Sequence, residues 1–412
     1  MIGARRGSRA EGLPARDDLR ARRAGERILP SRPSLRRVAT ASDAAWFLGR
    51  CLGHDPSPET GAELRDLLQR GDIDWLRVVA LANETLLTPA LDASFRWKGL
   101  SALLPGELRS YLETISNLNR QRNRRIVGQA SEFFHALNRR SLRPILMKGG
   151  LHLFESDLED AVMMADVDVL MAEEAFPLAC GVLRSLGYVS FDEPQAHLHA
   201  VTFHRAGELA TIDLHRRLGP QLRLLAPEDA ERSAVAVPSR GLDLAGLCPT
   251  HRVLLLLMNY CLLEPQYWKR ELPLRDLHTL AVLCRRYHRS IDWATIAQVV
   301  GRHSLDGPTR RWFNMAHWLF RIPVPHASPE DRVANRHLRV CLVQLNFPWL
   351  IKPFRYGAHF AWIFSALRMD YRYGCGLKGW PLTAARLRHA WGALARGCHL
   401  AAAARRGGLL SQ

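Results

Sequence analysis

Apolar positions from Ser42 onward recur at three- and four-residue spacing, the mark of helices that bury one face. Ser42 and Asp43 offer an N-cap for Ala44–Leu52, Ser57 for Gly61–Leu68 and Asp74 for Trp75–Ala82. After Pro105 a longer stripe runs through Leu108, Leu112, Ile115 and Leu118 and continues with Ile126, Ala130, Phe133 and Leu137. The period then changes. Arg143–Met147 is a short apolar run between turn-formers, and Asp166–Met171 alternates acid with aliphatic, so both read as strands. A short helix fits Gly150–Asp157 and an amphipathic one fits Ala175–Leu186, stopped by Gly187. Tyr188–Phe191, Ala200–Phe203 and Ala210–Leu214 complete the strand candidates. Beyond Pro227 the helical period returns in Pro249–Leu263, Leu272–Tyr287, Trp293–His303, Thr309–Phe320 and Asp331–Leu345.

The expected fold class is therefore α+β: a small mixed sheet flanked by helical regions before and after it. The expected divisions are a disordered basic segment at 1–40, helices at 41–140, an α/β core at 141–226, a helical domain at 227–350 and a basic, aromatic segment at 351–412.

Composition refines this plan. An apolar fraction of 47% over 412 residues suits a chain with a sizeable core. No uncharged apolar run is long enough to span a bilayer, and no apolar stretch follows Arg5, Arg6 and Arg9, so the expected location is cytoplasmic. Eight scattered cysteines with no C-x-x-C pair read as reduced, mostly buried thiols. The net charge of +17 is concentrated at the ends: +7 in residues 1–40 and +9 in residues 352–412. A near-neutral body argues against a long nucleic-acid groove. Contact of the tails with nucleic acid or anionic lipid is the less favoured reading, beside solvated Arg-rich ends. The aromatic, basic stretch Pro353–Tyr373 leaves two readings open: docking of a helix onto the body, or contact with a membrane surface.

The candidate chemistry begins at Asp166-Val167-Asp168. On a strand, residues i and i+2 leave the same face, so two carboxylates point together while Val167 and Val169 enter the core. Their mutual repulsion is relieved by a hard divalent cation such as Mg²⁺, which can also hold a nucleotide's phosphates. Thr211–His215 presents a third acid, Asp213, between aliphatics; if its strand lies beside the first, it completes a cluster that can bind metal or accept a proton. Lys148-Gly149-Gly150 follows a strand and precedes a helix, where glycines allow close backbone approach to phosphate and Lys148 adds charge. His215 shares the strand face of Asp213 and, with Arg217, is a candidate substrate contact. His197, His199 and His204 fall nearby in sequence, with surface or packing roles as the simpler reading. Arg275-Asp276 and Asp292-Trp293 read as an interhelical ion pair and a cap.

In this order and setting the motifs resemble the bacterial uncharacterised nucleotidyltransferase family, a branch of the polymerase-β-like superfamily. The likeness runs through NLNRQRNRRIVGQASEFFHALNRRSLRPILMKGGLHLF, DVDVLM, LGY, TIDLHRRL and ELPLRDLHTLAVLCRRYHRSIDWATIAQVV, over about Asp74 to Leu305. It implies that Asp166 and Asp168 bind metal, that Asp213 is the third carboxylate, and that Lys148 and Gly149 stand at the phosphate motif, with Gly150 where many members carry Ser. Two positions depart from the pattern. Val162 stands where an Arg is usual, and Ala165 where a small polar residue or Gly is usual; Arg143 or Arg217 is the expected substitute cation.

The expected activity is Mg²⁺-dependent (or Mn²⁺-dependent) transfer of a nucleoside monophosphate from an NTP to a small molecule, sugar, peptide or protein, with release of pyrophosphate. The competing reading is a non-catalytic descendant of the fold that binds a nucleotide or a protein, which the departures at Val162 and Ala165 favour and the three acids oppose.

Overall fold

Thr40 opens the first helix of the computed structural model, which describes residues 37–391 apart from 54–57, 156–160, 192–198, 219–224, 240, 265, 326, 329 and 374–376. Helix α1 (Ala41–Leu52) starts in a reciprocal box: the Thr40 hydroxyl accepts from the Asp43 amide, and the Asp43 carboxylate accepts from the Thr40 amide. The cap thus sits ahead of Ser42, which instead exchanges hydrogen bonds of 2.9 Å with the Asn346 side chain. Residues 37–40 belong to the fold, against their expected place in a disordered segment. Val38 is buried, and its N–H and C=O bond to the backbone of Asp72 and Asp74 at 2.8 Å. The expected cap Ser57 and the candidate His197 lie outside the described residues.

Helices α2 (Pro58–Arg70), α3 (Trp75–Glu84, capped by Asp74), α4 (Thr88–Trp97) and the long α5 (Gly106–Asn138) follow. The sheet is built from β1 (Ile145–Leu146), β2 (Asp166–Leu170), β3 (Val189–Ser190), β4 (Ala200–His204), β5 (Thr211–His215), β6 (Val235–Ala236) and β7 (Ala245–Gly246). Their spatial order is β3-β4-β5-β2-β1-β7-β6. The central pair β2 and β5 is parallel, with Asp168 opposite Asp213; β1 runs antiparallel to β2 and parallel to β7. The short strands β6 and β7 carry too few residues for alternation to reveal them in the sequence. Helix α6 (Lys148–Phe154) links β1 to the chain before β2, and α7 (Phe176–Ser185) links β2 to β3.

After α8 (Pro227–Arg232) the chain adds β6 and β7 to the sheet, and the described elements beyond them are helical: α9 (Pro249–Met258) and a π-helical turn (Asn259–Leu263), then α10 (Gln266–Lys269), α11 (Leu274–Tyr287), α12 (Trp293–Arg302), α13 (Asp306–Phe320), α14 (Arg332–Asn346), α15 (Pro348–Ile363) and α16 (Ala366–Tyr373), with residues 379–391 also helical. Asp292 caps α12 as expected, accepting from the Ala294 and Thr295 amides.

Two main cores result. Val167, Val169, Ile212 and Leu214 pack with Phe133 and Leu183 between the sheet and helices α5 and α7. A second core joins the helices that precede the sheet to those that follow it, through Phe47, Leu48, Phe95, Leu280, Trp312 and Leu319. Gly49 makes this union close: a Cβ there would run into the Leu319 carbonyl of α13. Cys51, Cys180, Cys261, Cys284 and Cys341 are buried free thiols, and Cys248 is half-buried. Among the described residues no helix is long and apolar enough to cross a membrane.

Candidate functional site

Strand register decides which acids meet. Because β2 and β5 are parallel with Asp168 and Asp213 as Cα partners, both side chains leave the sheet on the same face, and His215 follows two residues along. Ligand atoms of Asp168, Asp213 and His215 lie within 4.8 Å of one another. Asp166, on the same face, lines the adjoining cleft with Asp168 and Lys148. Lys148 donates to Asp168 Oδ1 at 2.5 Å, and His215 Nε2 lies 3.0 Å from the same oxygen. Asp213 Oδ1 is buried with no hydrogen-bond partner among the described residues, as is His215 Nδ1. An orphaned carboxylate oxygen beside a second carboxylate is a hard, anionic donor set, so these residues fit a divalent cation.

Charge in the cluster is unevenly shared. Burial pushes the Asp168 carboxyl up, but the His215 hydrogen bond and the Lys148 charge outweigh it and hold the group below its ordinary value. Asp166 moves the other way: burial and the neighbouring Asp168 raise it, against the partial relief of Lys148. Burial lowers Lys148, yet Asp168, Asp166 and Asp213 together raise it, so it stays a cation. His199, whose ring is centred 6.2 Å from that of His215, is driven down to about 4 by burial and by the charges of His215 and Lys148.

The turn that carries Lys148 is strained. Its φ is 45°, in the left-handed region that a non-glycine residue adopts at a cost. Gly149 lines the cleft. Gly150 is buried against β2, where a Cβ would come within 3.3 Å of the Val167 Cγ1, so a glycine there lets helix α6 pack closely on the strand.

Buried polar residues of α5 fix where β2 and β5 begin. The side-chain amides of Asn119 and Asn123 both donate to the Val162 carbonyl, at 3.0 and 2.8 Å. Arg122 donates to the carbonyls of Met164 and Leu209, and Gln129 pairs with both backbone groups of Ala210. The N-L-N-R-Q-R-N run in the sequence is therefore a clamp on the two segments that lead into the acidic strands.

The cleft, about 250 Å³ in volume, is lined by segments that come before the sheet in the chain and after it. Leu86 and Leu87 come from the turn after α3, and Leu256, Asn259, Arg275, Asp276, His278 and Thr279 from the helices after the sheet. Arg275 and Asp276 do not form the expected ion pair. Arg275 Nη2 donates to the Met163 carbonyl at 2.8 Å and its charge reaches Asp166. Asp276 makes no hydrogen bond to a described residue, and burial, only partly opposed by Arg275, raises it to about 6. The R-D pair was visible in the sequence, but its approach to the acids depends on the packing of α11.

Neither expected substitute for the missing Arg lines this cleft. Arg143 pairs with Asp243 at 2.9 Å, and Arg217 bonds Glu173 at 3.3 Å beside Arg216, whose guanidinium lies 4.1 Å from the centre of the Phe176 ring. His204 stacks on Phe191 with ring centres 4.4 Å apart, a packing role at the sheet edge.

Behind the cleft, Arg252 of α9 holds Glu155 through both carboxylate oxygens, at 2.7 and 3.1 Å, and reaches His152 Nδ1 at 3.2 Å. The Tyr287 hydroxyl adds a 2.9 Å bond to Glu155. Burial and the Arg252 charge keep His152 neutral, so with Nδ1 accepting from Arg252 its proton sits on Nε2.

A model of the family described as uncharacterised nucleotidyltransferase matches residues 71–321, more than half of the chain. No curated protein matches it.

Proposed function

The chain belongs to the uncharacterised nucleotidyltransferase family, and on that premise we propose that it moves a nucleoside monophosphate from an NTP to an acceptor hydroxyl or phosphate, releasing pyrophosphate. The observation that carries the reading is the in-register pair Asp168 and Asp213 with the buried, unpartnered Asp213 Oδ1. Asp166, Asp168 and Asp213 would hold the cation, Mg²⁺ or Mn²⁺. Bound there, the cation supplies the charge that neutralises the triphosphate and favours the in-line displacement.

The chain's own groups do the rest. Lys148 exchanges its bond to Asp168 for the entering phosphates, with Gly149 at its side. Arg275, which also lines the cleft, serves as a second cation in place of the Arg whose position Val162 occupies. His215 keeps Asp168 oriented through the 3.0 Å contact. The acceptor oxygen forms a bond to the α-phosphorus, the bond from that phosphorus to the bridging oxygen breaks, and the acceptor proton passes to Asp213. Pyrophosphate departs toward Lys148 and Arg275. The small cleft, about 250 Å³, and the near-neutral body favour a small acceptor or a single side chain over a long nucleic acid.

The test is incubation of purified protein with each α-³²P-labelled NTP, Mg²⁺ and a clarified lysate of the source cells, beside an Asp166→Ala/Asp168→Ala control. Label that moves only with the wild-type protein supports transfer and identifies the acceptor class. Mg²⁺-dependent NTP binding without label transfer in any acceptor fraction would favour the non-catalytic reading.

A further inference from the structure

Two helices near the C-terminus turn large apolar side chains toward solvent in the same pattern. On α15, Trp349, Tyr356 and Phe360 are 68%, 83% and 65% exposed. On the helix at 379–391, Trp380, Leu387 and Trp391 are 75%, 61% and 77% exposed. Each set is spaced i, i+7, i+11, which at 3.6 residues per turn forms one straight row on one face. Residues on the other sides make the inward contacts. Trp362 of α15 is 9% exposed, and His389 of the last helix is held by the Tyr373 hydroxyl at 3.0 Å, while Arg386 donates to the Phe364 carbonyl at 2.9 Å. Both helices are held by these contacts. Trp349 also meets the Phe347 ring and Phe360 the Phe364 ring, at 6.4 and 4.6 Å between centres, yet every member of the two rows stays more than half exposed.

A basic cleft of about 680 Å³ opens between α10, α14 and α15. Lys269, Arg270, Arg336 and Arg339 line it together with Val340 and Val343. No acid is among its lining residues, and these four cations make no ion pair within the described residues. Unpaired cations beside apolar walls match an anionic head group carrying a hydrocarbon chain.

We propose that these C-terminal helices bind the surface of an anionic membrane, with the aromatic rows in the interfacial layer and lipid phosphate in the basic cleft. Trp and Tyr favour that layer because one end of the ring system is apolar and the other hydrogen-bonds. No described helix is long and apolar enough to span a bilayer, so the attachment is peripheral. A second copy of the chain fits less well: a two-fold contact would place this unpaired positive cleft against itself. The basic cleft and the acidic site share no lining residue, so the proposal does not depend on the catalytic reading.

The experiment is co-sedimentation of the full chain with phosphatidylcholine vesicles, with and without about 30% phosphatidylglycerol. The wild type is expected to pellet with the anionic vesicles and stay in the supernatant with the neutral ones. Trp349→Ala/Trp380→Ala and, separately, Arg336→Gln/Arg339→Gln should each reduce partitioning by about tenfold or more, at an unchanged melting temperature because these side chains are exposed. Failure to pellet with anionic vesicles would overturn the proposal. So would wild-type partitioning in both variants, which would place binding elsewhere, or aromatic-dependent self-association without vesicle binding.

Discussion

Asp168 and Asp213 stand side by side on parallel strands, and the oxygen of Asp213 that could complete a cation site has no hydrogen bond of its own. A carboxylate oxygen kept buried without a partner, on a residue that is itself half-buried, is unfavourable for folding, so its worth lies in what it binds. Asp213→Asn should therefore leave the urea midpoint near that of the wild type or raise it. Nucleotidyl transfer should fall by about a hundredfold or more in steady-state assays. Activity within a fewfold of wild type would remove Asp213 from the mechanism.

The ion pair of Lys148 and Asp168 predicts a pH dependence of stability. The folded pKa of Asp168 is depressed, so its contribution is present above the unfolded carboxyl value of about 4 and is lost as the pH falls through the folded value. Lys148→Met removes one of the groups that depress it. The acid-unfolding midpoint, followed by circular dichroism without added metal, should move to higher pH in the variant.

Asp276 carries the opposite sign. Its pKa is raised to about 6, so the folded state holds the proton longer, and stability falls as pH rises from the unfolded value to the folded one. Asp276→Asn should be more stable than the wild type at pH 8 by on the order of 2 kcal/mol and equal to it near pH 3. Chemical denaturation at both pH values checks this, and equal stability at pH 8 would contradict a desolvated carboxylate.

Arg275 enters the cleft only because α11 packs beside the loop before β2. Arg275→Ala should lower kcat/KM for the NTP by about tenfold to a hundredfold through loss of a charged hydrogen bond. Arg217→Ala, which among the described residues breaks the side-chain contact with Glu173, should change it less than about threefold. Equal effects would return the phosphate role to Arg217.

The buried pair of Glu155 and Arg252 ties α6, and with it Lys148, to α9. Arg252→Met should destabilise the protein by about 3–5 kcal/mol, because Glu155 is left charged and buried. Glu155→Gln/Arg252→Met should recover part of that loss in guanidinium melts.

The sequence by itself determined the order of elements and the identity of the acids. Alternation in D-V-D-V-L and T-I-D-L-H marks strands with acids on one face, and helical periods on either side are strong because each helix buries one stripe. These are local signals, carried by residues two to four positions apart. Register between β2 and β5 is a nonlocal quantity; only the folded sheet sets Asp168 against Asp213 and brings His215 into the group. The clamp from Asn119, Arg122, Asn123 and Gln129 was legible as a motif but not as a function, since buried amides and a solvated polar face look alike in a sequence. Arg275 and Asp276 read as an interhelical ion pair in the sequence; the packing of α11 instead sets both on the cleft beside the acidic strands. Contacts of that kind depend on how helices from distant parts of the chain share one apolar core, and only the tertiary structure decides that.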